Sequence, residues 1–459
     1  MQHPASPAAT CGPGPIADGA PVRRPRAQGY RPRVKVKLSA VADRLRGSLW
    51  FLPGVAVAGV IALAAGTLAI DHSERDTVSW LAFGGTPETA RTILSEIVTA
   101  IITLTALVFS ITVVALQLAS SQYSPRVLRS FLRDRPSQVT LATFLATFAY
   151  SMVVLRAVRN ATASQDAFVP ELSVNVAFAL TAVSVGLFVY YVHHIAQSMQ
   201  ASTIIARVAA ETVDAIDRLY PDVGDDAVAS APEQDDGERA GEATVPAPRS
   251  GYLQTVDEET LLAVATEHDL VVRLRPRVGD FVAKGAALLH VRGEYDEDTA
   301  HRLVAALTVG RERTTQQDAA FGFRQLVDVA ERALSPGVND PSTAVQALDR
   351  LYELLMMLAP RRIPSPERLD RSGTLRAVLP RPSWDSYVHL AFDEIRHHGE
   401  GSVQVSRRIA AIVDDLVDVV PAARRGPLLD QRRLNQRSTR RGFDDREDVA
   451  HAAQPSRHG

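Results

Sequence analysis

Apolar positions follow two regimes along the chain. Up to about residue 200 they form four long runs, Leu49 to Ile70, Ile93 to Ala119, Val139 to Val158 and Leu172 to Val192. A hydrocarbon core about 30 Å thick takes about 20 helical residues at 1.5 Å each, so each run predicts a helix that crosses a bilayer. Beyond them the runs shorten. Ile205, Val208, Thr212, Ile216 and Leu219 keep helical spacing until Pro221, a natural stop. Residues 222–250 are rich in acids, Pro and Gly and poor in large apolar groups, which predicts a flexible linker. The segments GYLQTVD, LLAVAT, LVVRLRP, GDFVAKG and ALLHVRG predict a small β unit. Four helical stripes follow, around Phe323 and Leu326, Ala344 and Leu351, Trp384 and Phe392, and Ile409 and Leu416.

Charge orients the spans. Nine basic residues from Arg23 to Arg46 precede the first, against Asp18 and Asp43; the next loop carries Asp71, Glu74, Asp76 and Glu88 against Arg75 and Arg91; the one after returns to Arg126, Arg129, Arg133 and Arg135. This alternation places both termini in the cytoplasm of a bacterial inner-membrane protein. The third loop, with Arg156, Arg159, Asp166 and Glu171, fits less well. A cleaved signal peptide is not expected, because the first run lies far from Met1 and exceeds a usual signal core.

Whole-chain composition, 46% hydrophobic with a net charge of −2, hides this division and points to no nucleic-acid partner. Cys11 is the sole cysteine, which excludes an intramolecular disulfide. Apart from Lys35, Lys37 and Lys284 the basic residues are Arg, and Ala is abundant, as in GC-rich bacterial genomes.

Candidate chemistry is sparse. In the second span Glu96, Thr99, Thr103, Ala106, Ser110, Val113 and Gln117 recur at steps of three and four and share one polar or small face. Thr140, Thr143, Thr147 and Tyr150 repeat the device in the third. Such stripes serve either helix packing, at about 0.6 kcal/mol per hydrogen bond, or an aqueous or ion path. Glu96 is the only carboxylate inside an apolar run, near its outer end, where the helix macrodipole also favours an anion. Gly54, Ala58, Ala62 and Gly66 give the first span a small face suited to close helix contact or to self-association, the second of which would make a homo-oligomer. In ALSPGVNDPSTA, Asn339 and Asp340 either cap a helix that Pro341 begins or bind a ligand beside its N-terminal amides. His389, His397 and His398 match no zinc pattern, and neither a phosphate loop nor a nucleophile elbow occurs. No enzyme activity, metal or cofactor is expected; the lipid bilayer is the one partner the sequence names, and any solute or ligand stays unassigned.

VVRLRPRVGDFVAKGAALLHV resembles the hammerhead half of biotinyl and lipoyl domains, without the lysine-bearing hairpin. The expected fold is therefore membrane α-helical, with four transmembrane helices, plus a cytoplasmic α+β domain containing a small β barrel-sandwich-like unit and helices. Its parts are a disordered basic tail (1–48), the four-helix part (49–194), a helical stalk (195–221), the linker (222–250), the α+β domain (251–420) and a disordered tail (421–459).

The runs ALVFSITVVALQLASSQYSPRVLRSFLRD, VYYVHHIAQSMQ and FGFRQLVDVAERALSPGVNDPSTAVQALDRL together resemble the bacterial predicted-membrane-protein family known as domain of unknown function 2254, over residues 45 to 420. The resemblance implies a four-helix membrane part joined to a cytoplasmic domain, and it transfers no catalytic residue. Two functional expectations result: a channel-like or transport-like protein with a sensing or gating domain, or a membrane-anchored interaction or signalling module.

Overall fold

The computed structural model describes residues 51–73, 85–122, 135–161, 167–220 and 242–457. The basic N-terminal tail, the Arg126 to Arg133 loop and most of the 222–250 segment lie outside the described residues.

Among the described residues four helices are long and apolar enough to cross a membrane: α1 (Phe51–Ser73), α2 (Pro87–Gln122), α3 (Arg135–Ala157) and α4 (Glu171–Ser198). Half of the apolar window of α3 is buried, against 17–22% for the other three, so α3 is the central helix on which they pack. Leu94, Ile101, Phe144, Tyr150, Val154 and Tyr191 form their common core. Ile61, Ile102, Phe109, Val183 and Val189 point outward, as a lipid-facing surface requires.

After α4 the chain breaks at Met199 and Gln200 and continues as α5 (Ala201–Leu219). α5 is not a free stalk. Its apolar stripe, Ile204, Ile205, Val208, Ala215 and Ile216, is buried in one core with α8 (Ala319–Ala333), α9 (Pro341–Leu358), α10 (Trp384–His398) and α11 (Val403–Val419). Gly322 of α8 sits where α5 crosses it, and a Cβ there would lie 1.8 Å from Thr212 Oγ1. Beyond the end of α5, Arg361 donates to the Tyr220 carbonyl at 3.1 Å and to Asp217 at 2.6 Å. The last membrane helix is thus one short turn from an element fixed inside the C-terminal domain.

Two open sheets surround a second core. One orders β1 (Ala243–Pro246), β5 (Ala287–Arg292), β3 (Val271–Leu274), β8 (Leu375–Val378) and β7 (Glu367–Leu369); the other orders β4 (Phe281–Val282), β2 (Gly251–Val256) and β6 (Leu307–Gly310). Among the described residues only the β3–β8 pair is parallel. Helices α6 (Glu258–Glu267) and α7 (Glu297–Ala305) complete the unit, with Leu253, Leu261, Val272, Leu289 and Leu303 inside. Among the described residues the strands do not close into a barrel.

Two expected boundaries shift. β1 falls inside the segment read as linker, because Val245 and Ala247 are apolar enough to be buried and β1 pairs antiparallel with β5. The C-terminal tail read as disordered instead folds into α12 (Arg425–Gly442) and α13 (Arg446–Ala452). Its buried face is mostly polar: Gln431 donates to Asp393 at 2.6 Å, Asn435 to the Ser406 carbonyl at 3.0 Å, and Ser438 accepts from Arg396 at 3.0 Å. A contact face built from amides and hydroxyls leaves no hydrophobic periodicity in the sequence.

Candidate functional site

The two polar stripes of the membrane part face opposite ways. On α2, Glu96, Thr99, Thr103, Ser110 and Gln117 are all exposed, on the outside of the bundle, whereas Ile101 and Val108 of the same helix are buried. The Thr99 and Thr103 hydroxyls donate to the Ser95 and Thr99 carbonyls, each at 2.9 Å. On α3, Thr140 and Thr147 are buried and Thr143 is half-buried. Thr147 meets Ser184 of α4 at 3.0 Å, and Thr140 and Thr143 bond back to Pro136 and Val139 carbonyls. The stripes therefore do not meet within one chain. The small face of α1, Gly54, Ala58, Ala62 and Gly66, is likewise exposed.

Inside the bundle, hydroxyls tie the helices together. Thr112 of α2 bonds Tyr191 of α4 at 2.6 Å, and Thr67 of α1 bonds Tyr150 of α3 at 3.0 Å. Asp71, at the end of α1, accepts from the Leu172 and Ser173 backbone N–H groups at 2.9 and 3.1 Å and from the Ser173 hydroxyl at 2.6 Å. Pro170 precedes α4 and supplies no side-chain cap, so a carboxylate from another helix does so. Sequence spacing could not reveal this cap, because its donors lie about a hundred residues away.

The second candidate, Asn339 and Asp340, lies in the turn between α8 and α9. Asn339 adopts a positive φ of 47°, and Asp340 accepts from Thr343 N at 3.2 Å and from Thr343 Oγ1 at 2.6 Å, a complete N-cap. Both carboxylate oxygens are engaged by that cap.

A site the sequence did not announce lies between the helical core and the β unit. It is a cavity of about 80 Å³ lined by Tyr220, Glu258, Gln317, Asp318, Arg381 and Tyr387 among others. The Tyr220 and Tyr387 hydroxyls bond each other at 2.8 Å. Burial pushes both phenols above their ordinary pKa. Asp318 caps α8 by accepting from Phe321 N at 3.0 Å, and its other oxygen accepts from Arg313 Nε and Nη2 at 3.0 and 2.8 Å. Burial raises the Asp318 carboxyl's pKa, with the Arg313 guanidinium opposing. Gln317 pairs with both backbone groups of Val256, at 2.9 and 3.1 Å. Glu258 accepts from Arg368 at 2.7 Å and from Arg381. No group of three or more potential metal ligands occurs among the described residues.

A bundle of four membrane helices carrying a folded α+β domain after its last span defines a multi-pass membrane protein. The chain belongs to the family described as Predicted membrane protein (DUF2254), whose model matches residues 46–415. Uncharacterized protein Mb1321c of Mycobacterium bovis and Uncharacterized protein Rv1290c of Mycobacterium tuberculosis are each 37% identical to it over 420 residues, 90% of this chain and 80% of theirs. No solved structure matches.

Proposed function

We propose that the chain is a channel-like or transport-like protein of the bacterial inner membrane, in which α2 stripes from several copies line a path for ions or small polar solutes. Both termini and the α+β domain lie in the cytoplasm, and that domain senses or gates. One observation carries this reading: the face bearing Glu96, Thr99, Thr103, Ser110 and Gln117 is on the outside of the single bundle. Ionisable groups within spans nearly always face a bundle interior or a water-filled cavity, since lipid solvates them poorly. A second copy packed on this face would remove the conflict, and the exposed small face of α1 offers a close-packing surface for it. α5, buried in the cytoplasmic core one turn after α4, supports mechanical coupling between the two parts.

The anchored-module alternative draws on one specific feature. Thr99 and Thr103 satisfy their hydroxyls on their own helix, which lets them face lipid at little cost. Reconstitution in liposomes with ion-flux detection separates the two. Flux that Thr103→Arg alters without preventing insertion supports conduction, and inert liposomes at full protein incorporation support the module.

A further inference from the structure

We propose that the cavity between the helical core and the β unit binds a small monocarboxylate, anchored by Arg381. Size sets the class of ligand. About 80 Å³ exceeds the roughly 10–15 Å³ that one water needs, and falls short of the about 300–1,000 Å³ of a cofactor-sized pocket. The ligand has a few non-hydrogen atoms.

Charge sets its sign. Among the charged groups that line the cavity or pair with those that do, Arg313, Arg368 and Arg381 face Asp318 and Glu258, leaving one positive charge in excess. Both acids are spent: Asp318 on Arg313 and the α8 cap, Glu258 on Arg368 and Arg381. Arg381 uses only Nη2 on Glu258, so Nε and Nη1 have no protein acceptor among the described residues. On that guanidinium Nη1–H and the second Nη2–H form the end-on planar fork, which matches a carboxylate better than a spherical anion, while Nε–H lies on the other edge. The tyrosine pair adds a donor. Two hydroxyls hold two protons and spend one between them, which leaves the second for a ligand oxygen. The first turns of α8 and α10 also border the cavity, through Ala319 and Tyr387, and add the positive ends of two helix dipoles.

The remaining wall fits a short alkyl group, since Val256, Leu274, Val278 and Leu379 are apolar. Occupancy would bear on the membrane part through Tyr220, the residue directly after α5. Binding itself is independent of conduction.

The test is isothermal titration of the full chain in detergent with sodium acetate and sodium propionate, against sodium chloride at equal ionic strength. Saturable one-to-one binding of acetate or propionate is expected. Arg381→Gln should weaken it about tenfold or more, the usual consequence of losing hydrogen bonds to a charged group, with Arg381→Lys intermediate. Absence of saturable binding, equal binding of chloride, or unchanged affinity in a normally melting Arg381→Gln protein would each overturn the assignment. Should Arg381→Gln lower the melting temperature, the double variant Tyr220→Phe with Tyr387→Phe decides, because it removes both phenolic protons: reduced affinity supports the site, and full affinity rejects it.

Discussion

Replacing Arg424 by Met should lower the stability of the extramembrane core by about 1–3 kcal/mol. Arg424 is fully buried, its guanidinium 5.4 Å from the Trp384 ring centroid. It has no acid partner among the described residues. Its Nη1 donates to the Leu358 and Ala359 carbonyls at 3.1 and 2.6 Å, and its Nη2 to the Arg361 carbonyl at 2.8 Å. These acceptors close the C-terminal end of α9, where carbonyls lack intrahelical partners. The Leu358 carbonyl keeps the Arg361 backbone N–H at 3.1 Å, so two acceptors, Ala359 and Arg361, are left unpaired, at about 1–3 kcal/mol each and hence about 2–6 for the two. Against this stands the penalty of several kcal/mol for burying a cation, visible in the way burial depresses the Arg424 pKa. The balance of about 1–3 kcal/mol corresponds to a fall in melting temperature of about 2–12 °C, at about 2–4 °C per kcal/mol for a domain of this size. Tryptophan emission can follow the melt once Trp50 and Trp80 are changed to Phe, leaving Trp384 as the sole reporter. A Met variant that melts within about 1 °C of the parent, or above it, would refute the reasoning by showing that desolvation outweighs the three hydrogen bonds.

Gly322→Ala should destabilise the α5–α8 crossing, because its Cβ meets Thr212 and overpacking of about 1–3 kcal/mol exceeds the roughly 1 kcal/mol helix-propensity gain; unchanged thermal stability would contradict the contact. Asp340→Ala should cost about 0.5–2 kcal/mol as a lost cap, read in the same melt, whereas a stable protein that had lost a ligand would favour a binding role. Asp370 is held well below the usual carboxylate range by hydrogen bonds from the Ser372 hydroxyl, Arg376 and the Thr374 N–H. Its folded-state pKa is depressed, so its stabilisation of the β7–β8 turn is present above about pH 4 and is lost as pH falls toward the folded value. Asp370→Asn should flatten that part of the acid unfolding curve, and an unaltered curve would remove Asp370 as a source.

The four membrane helices were legible because lipid demands a long apolar run, which no other local code mimics. Their arrangement was not. Spacing placed Thr103 and Thr147 each on a polar face, but only packing shows that the first points out of the bundle and the second toward Ser184. The Asp340 cap could be read locally because cap and donor are three residues apart. Asp71 and Arg424 bind backbone groups of distant helices, so nothing near them in sequence marks their partners. The cavity around Tyr220 and Arg381 is likewise assembled from segments more than a hundred residues apart. α12 escaped notice because Gln431, Asn435, Ser438 and Thr439 are buried polar residues in an Arg-rich helix.

Cysteine accessibility along α2 in intact membranes bears most directly on conduction. With Cys11 replaced by Ser, single cysteines at Thr99, Thr103 and Ser110 should react with a membrane-impermeant thiol reagent, while those at buried Ile101 and Val108 and at lipid-facing Phe109 should not. Stripe cysteines as unreactive as those at Ile101, Val108 and Phe109 would contradict an aqueous path and leave the membrane part as an anchor.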